Sequence, residues 1–226
     1  MFWDPTYILV LLGAAISAIA SANVSGTYRR LSQYANARGL TAERVAESIL
    51  HGAGIRDVRI ERIRGNLTDH YSPKEKILRL SDSVYGKTSI AALGVAAHEC
   101  GHAIQHQEGY APLKLRSASV PLANIGSMLS WPIILFGLLF GYLGLARIGV
   151  YLFLLVVFFQ LVTLPVEFNA SRRALQQLEG RSILEDDELR VAGKMLRAAA
   201  MTYVAALFAS ILQLLRLVLL TGRRRD

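Results

Sequence analysis

Between residues 119 and 166 the sequence carries a single charged residue, Arg147, within GLARIG. That stretch is too long for one membrane-spanning helix of about 20 residues and suits two spans joined by a tight turn. Pro121 and Pro132 fall inside it, and prolines are tolerated in spans where neighbouring groups satisfy the freed carbonyls. Residues 7–24, YILVLLGAAISAIASANV, are uncharged and read as a membrane anchor. The rival reading is a cleaved signal, because Ala20-Ser21-Ala22 fits a small-x-small pattern. MFWDPT before it has no positive charge and carries Asp4, which argues for the anchor. Residues 199–220, AAMTYVAALFASILQLLRLVLL, form a last apolar helix. A hydrophobic content of 53% with only 19% charged residues fits this division.

Arg29, Arg30 and Arg38 follow the anchor, and no Lys or Arg precedes it. Positive charge gathers on the cytoplasmic side of spans, so the N-terminus is expected outside and residue 29 onward inside. The last helix strains that rule. If it spans, Arg223, Arg224 and Arg225 end outside, and Gln213 and Arg216 lie within it; partial embedding with Arg216 reaching the headgroups is the other possibility.

Residues 29–118 and 167–198 are the water-facing segments. LTAERVAESILHGAG predicts a helix with Thr41 as N-cap and Gly52 and Gly54 at its end. DVRIERI and KILRLS alternate apolar and charged residues and predict strands, with a Ser72-Pro73 turn between them. SIAALGVAAHECGHAIQHQEG predicts a helix capped by Ser89 and stopped by Gly109. The net charge of +8 is spread among acidic residues with no dense basic stripe, which excludes a nucleic-acid partner and leaves the bilayer as the partner for the surplus. One cysteine excludes a disulfide framework and a cysteine-based zinc knuckle.

His98, Glu99, Cys100, Gly101 and His102 form HECGH. Residues four apart on a helix share a face, so both imidazoles can reach one ion. Glu99 then serves as the general base towards an activated water, the H-E-x-x-H logic of zinc peptidases. The bland alternative is an amphipathic helix with two ordinary histidines. Against it, IAALGVAA before the motif suits a closely packed helix, where buried polar groups are costly unless satisfied. His106, a further turn on, would line up along the helix and suits a tetrahedral ion poorly. The metzincin pattern needs Gly and His where this chain has Gln105 and Glu108. Glu167, in LPVEFNASRRAL, is the better third ligand. A membrane hairpin returns the chain to the face it left, and a helix starting near Pro165 would put Glu167 in its first turn. The competing reading is a charge that merely marks a span end.

HECGH followed by a hairpin and EFNAS resembles the gluzincin membrane peptidases, the group of the HtpX heat-shock proteases and CAAX prenyl proteases. GVAAHECGHAIQHQEGYAPL, QLVTLPVEFNASRRAL and LRAAAMTYVAAL together resemble the YugP family of bacterial neutral zinc metallopeptidases, over residues 28 to 215. The resemblance implies one zinc per chain held by His98, His102 and Glu167, with Glu99 as base. Many gluzincins place Asp four residues after the ligand glutamate to orient the first histidine; here that position is Ser171. His70, Tyr71, Arg172, Arg173 and Tyr203 are chemical candidates for stabilising an oxyanion. KILRLS is expected to form an edge that holds an extended peptide, and Cys100 is expected to pack.

The fold expected is mainly α with a small β-sheet (α+β), in a multi-pass protein of the bacterial plasma membrane with a cytoplasmic gluzincin-like domain. The function expected is hydrolysis of peptide bonds in peptide or membrane-protein substrates at the cytoplasmic membrane face. A zinc-bound scaffold or chaperone would keep the ligands without needing Glu99. An intramembrane site-2-type protease would carry a later Asp-Gly motif, which this sequence lacks.

Overall fold

The computed structural model describes residues 4–222, so the C-terminal Arg223, Arg224 and Arg225 lie outside the described residues. Its elements in chain order are α1 (Tyr7–Leu31), α2 (Ala42–Gly52), β1 (Arg59–Ile63), β2 (His70–Ser72), β3 (Ile77–Ser81), α3 (Ile90–Gln107), α4 (Ala111–Leu139), α5 (Leu143–Gly180) and α6 (Asp186–Gly222). The protein is mostly helical with one small mixed sheet. By length and composition α1, α4, α5 and α6 could each cross a membrane.

The chain divides into two compact units, one of residues 22–113 and 166–200, the other of residues up to 21, 114–165 and from 201. In the first unit, α2 presents Ala42, Val45, Ala46, Ile49 and Leu50 to a core shared with Leu78, Leu80 and Val84 and with the small residues of α3. Those α3 residues (Ala92, Ala96, Ala97, Cys100 and Ala103) are buried. Small side chains let neighbouring backbones come near, which a helix lined with leucines would prevent. Ser89 caps α3, its hydroxyl accepting from the Ala92 N–H at 3.3 Å. Thr41 has the extended backbone of an N-cap but makes no side-chain capping bond. Gly54 at φ 76° and Gly109 at φ 65° close α2 and α3 in the left-handed conformation that favours glycine.

The sheet order is β1-β3-β2, with β1 parallel and β2 antiparallel to β3. The expectation that KILRLS forms an edge is therefore wrong. Ile77, Leu78, Leu80 and Ser81 are all buried, so β3 is covered on both faces and flanked on both sides. β2 is an edge instead. It is pinned by Asp69, whose carboxylate accepts from the Ser81 N–H at 2.7 Å and the Ser81 hydroxyl at 2.9 Å. Burial pushes the Asp69 carboxyl up against those two bonds.

In the second unit, α4 turns into α5 at Gly141, which takes φ 75°. The two helices meet through glycines. A Cβ on Gly126 would come within 2.5 Å of the Leu152 carbonyl, and one on Gly149 within 2.9 Å of the Ser130 carbonyl. Ile134, Val150, Phe153 and Leu217 form a buried cluster. Ala209 of α6 lies against Gly13 of α1, and Arg216 lies 3.5 Å from Asp4 and over the Tyr7 ring. Two contacts in reversed order mark α1 and α6 as antiparallel.

Pro165 does not start a helix. It lies inside α5, which runs unbroken from Leu143 to Gly180. Proline is favoured at a helix start, but the helical trend on both sides here outweighs a cost of about 3 kcal/mol for an interior proline.

Candidate metal centre

α3 supplies His98 and His102, one turn apart, and α5 supplies Glu167 from its interior. One oxygen of Glu167 stands 3.2 Å from His98 Nε2 and 3.5 Å from His102 Nε2. The imidazoles stand edge to face, with centroids 4.8 Å apart. Bonds of about 2.0–2.1 Å to a tetrahedral ion place neighbouring ligand atoms roughly 3.3 Å apart. Two imidazole nitrogens and a carboxylate oxygen at these separations fit zinc. All three ligand atoms lie within 4.8 Å of one another, and Glu167 is only 2% exposed.

Helix proximity makes this possible. A Cβ on Gly101 would come within 2.5 Å of the Ala170 carbonyl. That contact brings the α3 backbone onto α5 between the histidines on one side and Glu167 and Ser171 on the other. The glycine of HECGH is thus a point of close approach, and the cysteine turns away: its thiol donates to the Ala46 carbonyl at 3.6 Å and is fully buried. Burial pushes the Cys100 thiol far up, with Glu99 adding to the effect, so it stays protonated in the packed core.

Each imidazole is held through its other nitrogen. His98 Nδ1 lies 3.1 Å from the Ser171 hydroxyl, and His102 Nδ1 lies 3.0 Å from Gln105 Oε1. Gln105 is wholly buried, and its amide donates across to α5, to the Val166 carbonyl at 2.8 Å and to Asn169 Oδ1 at 2.9 Å. Burial opposes a charge on His102, but its hydrogen bond and attraction to Glu167 prevail and its pKa is raised. Glu99, 8% exposed, accepts from the Tyr71 N–H of β2 at 3.0 Å. One carboxylate oxygen is thereby fixed and the other left to act.

The remaining candidates have other partners or other places. His106 is exposed, bonded to the Tyr71 hydroxyl at 2.9 Å, and outside the three-ligand cluster. His70 Nδ1 lies 2.9 Å from the Thr68 carbonyl. Arg173 is committed to Asn169 and Glu108, and Arg172 is exposed. Tyr203 belongs to the other compact unit. Gln105 and Asn169 were not legible as supporting residues. The spacing His102-x-x-Gln105 puts an amide one turn from a ligand, and that was the available signal. The Tyr71 backbone N–H has no sequence signal at all.

The family described as "Putative neutral zinc metallopeptidase" matches residues 6–222, nearly the whole chain, and the chain belongs to it. A curated relative, "Putative membrane protease YugP" of Bacillus subtilis (strain 168), is 42% identical over 218 residues, covering 96% of this chain and 97% of the relative. No solved structure matches the chain.

Proposed function

With that membership as premise, we propose that the protein is a membrane-anchored zinc metalloendopeptidase that cuts peptide bonds at the cytoplasmic membrane face, with Glu99 as general base. The observation that carries this reading is the convergence of His98, His102 and Glu167 beside a carboxylate whose one oxygen is held by a backbone N–H. Zinc in such a setting supplies activation of water and polarisation of the scissile carbonyl. Glu99 takes the water's proton on Oε1, since Oε2 is engaged by Tyr71, and returns it to the leaving amine. β2 is the sheet edge beside Glu99, and an extended substrate would add to it by backbone pairing.

The cytoplasmic assignment rests on charge: Arg29, Arg30 and Arg38 follow the first apolar segment, whereas residues 1–6 before it hold no Lys or Arg. The antiparallel contacts of α1 and α6 favour a last helix that crosses the bilayer alongside the first.

Replacing Glu99 by Gln tests the mechanism. The variant should keep its zinc and lose peptide hydrolysis by about 10²–10⁴-fold, the usual contribution of a general base. Undiminished cleavage would overturn the role of Glu99. Zinc bound with no cleavage by the parent protein, over a broad peptide library, would favour the scaffold reading instead.

A further inference from the structure

β2 is three residues long and all three are half-buried, so no buried face of its own holds it against β3. Its register pairs Tyr71 with Leu78. In an antiparallel pair, residues alternately turn their N–H to the partner strand and away from it. Tyr71 gives its N–H to Glu99 at 3.0 Å, so His70 and Ser72 are the residues that bond to β3. The Ser72 end is closed by the turn of residues 73–76 that leads into β3. The His70 end is open, and fraying from there would pass through His70 to Tyr71.

Asp69 stands at that open end. Its carboxylate accepts from both the N–H and the hydroxyl of Ser81, at 2.7 and 2.9 Å. Ser81 is wholly buried, which anchors the clamp in the core. Ser83 extends it: its hydroxyl lies 2.9 Å from that of Ser81 and accepts from the Leu67 N–H at 3.1 Å. Among the described residues no basic group pairs with Asp69, and burial, with the charge of Glu99 adding to it, pushes its carboxyl up. Such a group is costly to keep, and it stands two residues before the N–H that holds Glu99.

We propose that Asp69 is a positioning residue for peptide hydrolysis: it clamps the open end of β2 and so keeps the Tyr71 N–H aimed at Glu99. The purpose rests on the reading of Glu99 as base, whereas the clamp does not. Among the described residues Asp69 makes no hydrogen bond to Glu99 or to the three ligand residues, so its effect passes through the β2 backbone.

The test uses the full chain in detergent, loaded with zinc, and follows hydrogen exchange of the Tyr71 amide. D69A should speed that exchange by about 10–100-fold, the scale of one lost hydrogen bond to a charged group. Amides of α2 and α3 should exchange as in the parent. D69N should restore protection, because its oxygen accepts from the Ser81 N–H and the Ser81 hydroxyl can turn to accept from the amide. Parent-like Tyr71 exchange in D69A, or an acceleration spread evenly over α2 and α3, would overturn the clamp. Cleavage of labelled casein supplies the second readout. D69A should lower kcat by about 10–100-fold, as misplacement of a catalytic group does, with KM and zinc content at parent values and with D69N restoring the rate. Zinc lost in proportion to rate in D69A would make Asp69 merely structural and overturn its positioning role. If the parent cuts neither casein nor the peptide library, the proposed function fails while the exchange result still decides the clamp.

Discussion

The two parts of α5 on either side of Pro165 use one packing device to different ends. N-terminal to Pro165, Gly149 and Leu152 meet α4 at contacts where an added Cβ would strike a backbone carbonyl. Among apolar helices such closeness yields packing alone. The Ser130 hydroxyl is buried there with no partner among the described residues. C-terminal to Pro165, Ala170 meets Gly101 in the same way. Here the turn of helix around the contact carries Glu167, Asn169, Ser171 and Arg173, and the buried polar groups are paired. Close approach of backbones is thus a neutral tool. What it achieves depends on the side chains one turn away.

The largest expected effect comes from removing the residue that distinguishes the second part. Glu167→Ala should take zinc content from about one per chain to near zero, read by metal analysis after dialysis. Retention of a full equivalent would mean that the polar part of α5 is not the ligand-bearing one. Next come paired glycine substitutions. Gly101→Ala and Gly149→Ala should each lower stability by about 1–3 kcal/mol, as overpacking does. Only Gly101→Ala should also weaken zinc binding. A similar loss of zinc affinity in Gly149→Ala would erase the distinction between the two contacts.

The smallest effect is one of pH. His102 has a raised pKa in the metal-free fold, so its contribution to stability is full below the ordinary imidazole value of about 6.5 and fades as pH rises through the raised one. Zinc competes with that proton and binds more tightly over the same interval. Melting of metal-free and zinc-loaded protein should therefore respond in opposite directions as pH rises from about 6.5. Parallel responses would mean that His102 is not a ligand.

Local pattern carried much of this into the sequence. HECGH is legible because a helix maps four-residue spacing onto one face, and the hairpin is legible because a long uncharged stretch has few other solutions. Glu167 followed from the two together. The errors share a physical cause, which is that the deciding structure lies outside the segment being read. Pro165 looks like a helix start because its ring suits one, and only the continuous helix around it shows otherwise. KILRLS alternates and reads as a strand, and the edge follows only from the resemblance; β1 and β2 pair with it on both sides. Gln105 looks like a failed metal-ligand pattern until Asn169 and Val166 are brought to it.

The separation of the ligands also orders events in time. Glu167 leaves the ribosome 69 residues after His98, a delay of roughly 3–14 s at 5–20 residues per second. Throughout that interval the nascent chain exposes two imidazoles and a glutamate but no third ligand. The segments made meanwhile include the whole α4 helix and the apolar part of α5. On the proposed ligand set, full coordination is a late step of biogenesis, and a chain arrested before Glu167 holds an incomplete, weakly chelating fragment.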